Sequence, residues 1–191
     1  GGGALALPTG APGRIPLPEF TFLTDFVPGG SGYGDPLERP EEQVARDVEE
    51  EVLSVRVAEE VFGVVLEPRT LGLRRDATKQ RRQQIRAARL REGKPYAGRT
   101  SAFPAQQRQG AAWEPVQRCH EYLEVVRRGR EQAIRCVAGG HLFCGVQENY
   151  KRYALRRVRD FQELSGRSLP SGEPYLGVYH EYYCPGCAAL L

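Results

Sequence analysis

Cys184-Pro185-Gly186-Cys187, close to the C-terminal end, is the stretch from which the rest of the chain is best read. Two cysteines two residues apart, with proline and glycine between them, make a tight turn that aims both sulfurs at one point. A tetrahedral zinc takes four such ligands at about 2.0–2.3 Å, so a second pair is expected upstream. Cys136 and Cys144 supply it, bracketing Val137-Ala138-Gly139-Gly140-His141-Leu142-Phe143. Two cysteine groups separated by a few tens of residues have the layout of a zinc ribbon. The expected ligand set is Cys136, Cys144, Cys184 and Cys187, holding a structural zinc, with His141 as the residue that could replace Cys144.

Two other readings compete with metal. A disulfide framework fits poorly: the chain has five cysteines, an odd count, and its N-terminus has no apolar signal segment. No run is long enough to span a membrane, so a cytoplasmic location is expected, where thiols stay reduced. A thioredoxin-like redox pair would need a helix after the second cysteine, and only Ala188-Ala189-Leu190-Leu191 follows. Cys119, beside His120, reads as a small buried residue rather than a ligand. His180, just before the turn, could hydrogen-bond a ligand sulfur.

The length, 191 residues, allows one medium domain or two small ones. Twenty-two glycines and fourteen prolines signal many turns. A net charge of +3 is too small to imply a nucleic-acid partner. The charge is uneven, with residues 38–60 acidic and 69–99 strongly basic. No methionine occurs, so the sequence reads as a processed chain or a fragment.

From the N-terminus, Pro8, Pro12, Pro16 and Pro18 forbid a helix and predict an extended segment anchored by Ile15, Leu17, Phe20, Phe22 and Leu23. The run Gly29-Gly30-Ser31-Gly32-Tyr33-Gly34-Asp35-Pro36-Leu37-Glu38-Arg39 reads as a loop. It lacks the Lys-Ser/Thr of a phosphate loop. Asp35 and Glu38 are candidate acid–base groups, with a capping or turn role the plainer reading. Pro40-Glu41-Glu42 opens a helix whose stripe is Val44, Val48 and Val52. Ser54 caps a second, with Val57, Ala58, Val61 and Phe62 inward and Gly63 past its end. Val64-Val65-Leu66 reads as a buried strand. Asp76 should cap a basic, mostly solvated helix ending at Gly93. Residues 93–112 read as a linker. Beyond Trp113, strands are expected around Tyr122–Val126, Ala133–Val137, Tyr153–Asp160 and Tyr175–Tyr183, with a turn at Arg127–Glu131. The fold class is therefore α+β. Short helices and strands fill the N-terminal half, and a mainly antiparallel, zinc-ribbon-like module fills the C-terminal half.

Two family resemblances follow from these residues. Gly29-Gly30-Ser31-Gly32-Tyr33-Gly34-Asp35-Pro36-Leu37-Glu38-Arg39, then Val44-Ala45-Arg46-Asp47-Val48, then Val57-Ala58-Glu59-Glu60-Val61-Phe62-Gly63-Val64-Val65-Leu66 resembles the C-terminal end of the hydantoinase B/oxoprolinase family over about residues 1–92. Gly140-His141-Leu142-Phe143-Cys144, Asn149-Tyr150-Lys151, Arg157-Val158-Arg159-Asp160 and His180-Glu181-Tyr182-Tyr183-Cys184-Pro185-Gly186-Cys187 resemble the acetone carboxylase gamma-subunit family over about 113–191. That family begins this region with Cys-x-Cys-Gly-His. The present chain has Cys136-Val137-Ala138-Gly139-Gly140-His141, one cysteine fewer and one residue longer.

Together the resemblances imply a subunit of an ATP-dependent heteromeric carboxylase of the acetone or acetophenone carboxylase type. The expected partners are a hydantoinase A-like ATP-binding subunit and the rest of a hydantoinase B-like subunit. ATP and a divalent metal ion are expected on those partners. The alternatives are a subunit of a cyclic amide hydrolase of the hydantoinase/oxoprolinase type, and a zinc-ribbon module on nucleic acid. No complete active site is visible. The three histidines, His120, His141 and His180, have no Ser or Cys partner in a nucleophile motif.

Overall fold

The computed structural model describes residues 33–104, 113–159 and 178–191. The proline-rich extended segment, with its anchors Ile15, Leu17, Phe20, Phe22 and Leu23, lies outside them. Tyr33–Leu191 forms one compact unit.

The acidic run folds as expected into two short helices, α1 (Glu41–Glu49) and α2 (Val55–Glu60). Ser54 caps α2, its hydroxyl accepting from the Val57 amide at 3.2 Å, which satisfies one of the unpaired donors of the first turn. Val44 and Val48 are buried, but Val52 lies beyond the end of α1 and is 69% exposed. The stripe ends early because the chain turns at Glu50 and Glu51, the latter with φ +59°. Val61, expected inward, is likewise exposed. Val64 and Leu66 are buried, yet they form no strand: a single bridge joins Leu66 to Leu73. The Val65 amide is satisfied instead by the hydroxyl of fully buried Thr78 at 3.0 Å.

The basic run is α3 (Arg75–Glu92), closed at Gly93. Its N-cap is Arg74, with no side-chain cap; Asp76 sits inside the first turn, where its charge favours the helix dipole. The arginines of α3 are spent on the acidic stretch before it. Arg75 pairs with Glu41 and Glu42, Arg86 with Glu38 and Arg81 with Glu59. The uneven charge of the sequence is thus neutralised within the unit.

Two antiparallel sheets complete it. One has the order β1-β6-β7, from Lys94–Pro95, Leu155–Arg159 and Tyr179–Tyr183. The other is a meander, β2-β3-β4-β5, from Glu114–Arg118, Leu123–Arg128, Glu131–Cys136 and Leu142–Gly145. The β3–β4 hairpin turns at Gly129, which takes φ +59°, a conformation glycine adopts without steric cost. The start of the stretch expected as a linker is built into the unit. Lys94 and Pro95 pair with Arg156 and Leu155. The buried Ser101 hydroxyl donates to the Leu142 carbonyl at 2.7 Å, and the Ala102 amide to the Phe143 carbonyl at 2.7 Å. No helix among the described residues is long and apolar enough to cross a membrane.

The deepest polar contact ties the ends of this unit together. Both guanidinium Nη atoms of Arg89 reach the Asp35 carboxylate, at 2.6 and 2.9 Å, with both side chains buried. Asp35 also accepts from the amides of Leu37 (3.0 Å) and Leu190 (3.0 Å), and its own amide donates to the Tyr122 hydroxyl at 2.7 Å. Asp35 is therefore a turn and docking residue, as its plainer reading held. Arg89→Met should strand a buried carboxylate. A loss of about 3–5 kcal/mol of stability is expected, read as a lower urea midpoint. The same substitution at exposed Arg91 should change it by less than about 0.5 kcal/mol.

Candidate metal centre

The sulfurs come together because two tight turns meet face to face. The first follows β4. The Cys136 amide donates to the His141 carbonyl at 2.8 Å and the Gly140 amide to the Cys136 carbonyl at 2.9 Å, with Gly140 at φ +64°. The second follows β7. The Ala188 amide donates to the Cys184 carbonyl and the Cys184 amide to the Ala189 carbonyl, both at 2.9 Å. The chain then returns alongside Tyr183 through Leu190. Gly139 lets the turns touch: a Cβ there would lie 2.8 Å from Cys187 Cβ and 3.0 Å from its Sγ.

Cys136, Cys184 and Cys187 place their sulfurs within 4.8 Å of one another. Cys136 and Cys184 are fully buried and Cys187 partly so. The Cys136–Cys187 separation is 3.7 Å. Sulfurs bound to one tetrahedral zinc at about 2.3 Å are separated by about 3.8 Å, so this edge already has the length a shared metal requires.

The surroundings favour the anionic form at Cys136 and disfavour it at the other two sulfurs. Cys136 is held down to about 3, first by hydrogen bonds from Cys184 and Cys187 and then by the amides of Gly139 and Ala138. The Gly186 amide donates to Cys184 Sγ at 3.4 Å. Cys184 and Cys187 are pushed upward, first because each hydrogen-bonds to Cys136. A metal binding the trio would have to displace the thiol protons that remain. Three sulfurs at this spacing, with amides aimed at them, fit a thiophilic metal such as zinc.

Cys144 is not in the group. Register explains why. It pairs with Ile134, two residues before Cys136 on β4, and a bulge between Ile134 and Arg135 inserts Phe143 into β5. A diagonal step of this kind is about 7–8 Å. The Cys144 thiol donates to the Glu148 carbonyl at 3.8 Å, and burial pushes it up to about 12. His141 lies beside the cluster, its Nε2 2.7 Å from the Thr100 carbonyl. His180 is exposed and stacks on Tyr182, away from the sulfurs. Cys119, expected to be buried, is exposed and donates to the Leu123 carbonyl. Glu38 is engaged by Arg86.

The contact at Gly139 gives a direct test of the cluster. Gly139→Ala should push the Cys187 sulfur away and lower zinc affinity at least about tenfold. Gly140→Ala, where an added Cβ meets nothing within 4 Å, should cost only the left-handed backbone, about 1–2 kcal/mol of stability. Competition with a chromophoric chelator reads the first and thermal melting the second.

Two comparisons with known proteins found similarity. A curated relative, the acetone carboxylase alpha subunit of Xanthobacter autotrophicus, is 34% identical over 82 residues. That alignment covers 41% of this chain and 11% of the relative, so the chain spans a small fraction of that protein's length. No solved structure matches. Residues 116–191, which carry the whole cysteine cluster, match the family model of the acetone carboxylase gamma subunit.

Proposed function

We propose that this chain is a structural subunit of a multi-subunit carboxylase of the acetone carboxylase type, with a zinc closing its C-terminal module. The observation that carries the reading is a coincidence of two findings. The gamma-subunit match at 116–191 falls on the segment that builds the Cys136, Cys184 and Cys187 cluster. The alpha-subunit relative belongs by its name to the same kind of assembly.

Within this reading the metal holds the module together, in the manner of a zinc ribbon. It supplies a cross-link between the turn after β4 and the turn after β7, both of which otherwise end in short loops. Catalysis is assigned to partner chains, which would carry ATP and a divalent metal ion. These partners would be a hydantoinase A-like ATP-binding subunit and the body of a hydantoinase B-like subunit. The sequence resemblance alone supports reading residues 1–92 as the tail of the latter. Asp35 itself bonds to Tyr122 and Leu190 of the module. The two parts are therefore joined by buried contacts as well as by the chain. No observation favours the cyclic amide hydrolase or the nucleic-acid reading over this one.

Expression with candidate partner subunits tests the assignment. The purified chain should contain close to one zinc and co-purify with large partners. Cys187→Ser should lower the yield of complex, because metal binding supplies on the order of 10 kcal/mol of folding free energy in comparable small sites. The complex that does form should keep most of its activity per assembled unit. Normal assembly with abolished turnover would instead make the metal catalytic and overturn the structural role.

A further inference from the structure

We infer that the fourth ligand of this metal is Nδ1 of His141, giving a Cys3His site, and that Cys144 is not a ligand. The inference rests on the metal reading above and is carried by the placement of the His141 ring.

Three sulfurs leave a tetrahedral ion one position short, and the residue that fills it must lie beside all three. The turn hydrogen bonds between Cys136 and His141 hold their backbones together, with the Cys136 amide on the His141 carbonyl at 2.8 Å. On the other side, Gly186 serves as a ruler. A Cβ on Gly186 would lie 3.2 Å from His141 Cβ, 3.7 Å from His141 Cγ and 3.7 Å from Cys184 Sγ. His141 and the Cys184 sulfur thus border the same small space over the Cys184–Cys187 turn. Nδ1 is bonded to the Cγ that lines it.

The ring chemistry agrees. Nε2 faces the Thr100 carbonyl at 2.7 Å, and a carbonyl only accepts. Nε2 therefore carries the proton, and the lone pair sits on Nδ1. A ligating histidine whose other ring nitrogen donates to a backbone carbonyl is the usual arrangement at metal sites. Phe143 braces the ring edge-on, at 4.9 Å between centroids. The ring sits beside the 4.8 Å sulfur group rather than inside it, so loading requires the imidazole to move toward the sulfurs. Cys144 also stands outside the group. Its residue pairs with Ile134, and the Phe143 bulge separates it from the position that faces Cys136.

The sequence shows why a histidine is needed. The segment Cys136-Val137-Ala138-Gly139-Gly140 contains a single cysteine. His141 is the next residue with a ligand atom, and two glycines let it fold back beside Cys136.

The test uses the full 191-residue chain loaded with Zn²⁺, with X-ray absorption at the zinc edge and chelator competition as readouts. The expected result is a shell of three sulfurs and one imidazole nitrogen. His141→Ala should weaken zinc binding by at least roughly tenfold, the lower end of what loss of even an outer partner costs. Cys144→Ser should leave affinity within about threefold and the shell unchanged. Four sulfurs in the wild-type shell, or three sulfurs and a water with His141→Ala binding normally, would overturn the inference and leave the metal reading standing. A wild-type chain that binds no zinc would overturn both. If His141→Ala fails to fold, the wild-type and Cys144→Ser spectra still decide between nitrogen and sulfur.

Discussion

A single guanidinium joins three distant pieces of this chain. Arg89, near the end of α3, holds Asp35 with two hydrogen bonds and gives a third to the Ala188 carbonyl at 3.1 Å. Its cation also sits 5.1 Å from the centre of the Tyr183 ring. The start of the compact unit, its longest helix and its C-terminal turn thereby meet at one buried charge. Burying an ion pair gains little net energy, because desolvation offsets most of the attraction. What it does is penalise every arrangement that leaves either charge unpaired. α3 has few apolar positions to fix its rotation, and Arg89 supplies that constraint electrostatically.

The same constraint links the candidate metal turn to the remainder of the fold. Ala188 and Leu190 flank the cysteine turn and both bond to the Asp35–Arg89 pair. The apolar cores are modest. One gathers around Val44, Val48, Ala58 and Val64, a second around Val126, Ala133 and Leu142. The third, which contains Cys136, Cys144 and Cys184, is rich in sulfur and tyrosine rather than branched aliphatics. Small cores of this kind bury too little apolar surface to hold short strands unaided. Buried charge then does part of what aliphatic packing does in larger domains, and a metal at the cysteine cluster would add to it.

Much of this was legible in the sequence, and what was not has definite causes. The β3–β4 hairpin follows from β-branched runs around Gly129, and the Ser54 cap and Gly93 end were plain from local chemistry. Local signals reach only a few residues, whereas Asp35 and Arg89 lie far apart and each had an adequate local reading, turn residue and solvated arginine. The expected strand at Val64–Leu66 was lost because Thr78, on a helix further along, satisfies its backbone. In the cluster, cysteine spacing identified three of the residues that meet. It could not show the register of β5, where one inserted residue, Phe143, decides whether Cys144 or His141 stands near Cys136. Bulges leave no reliable mark in a single sequence, and ligand counting by cysteine alone passes over them.

Strain at Ala188 shows how firmly the C-terminal turn is determined. Its φ is +62°, the left-handed region, which costs an alanine roughly 1–2 kcal/mol. Glycine would remove that cost, so the turn is held from outside rather than by its own preference. Four contacts hold it: Ala188 N–H on the Cys184 carbonyl, Ala188 C=O on Arg89, Ala189 N–H toward Cys187 Sγ, and Leu190 N–H on Asp35. Three of these end on the cysteine turn or on the buried pair only while the backbone stays left-handed. A metal across Cys136, Cys184 and Cys187 would load the same hydrogen bonds, since an anionic sulfur accepts an amide more strongly than a thiol does. Sulfur charge and the Asp35–Arg89 pair would therefore hold one turn together against its own backbone strain. The C-terminal turn is thus where the cysteine cluster and the end of α3 meet, through the Ala188 carbonyl on Arg89.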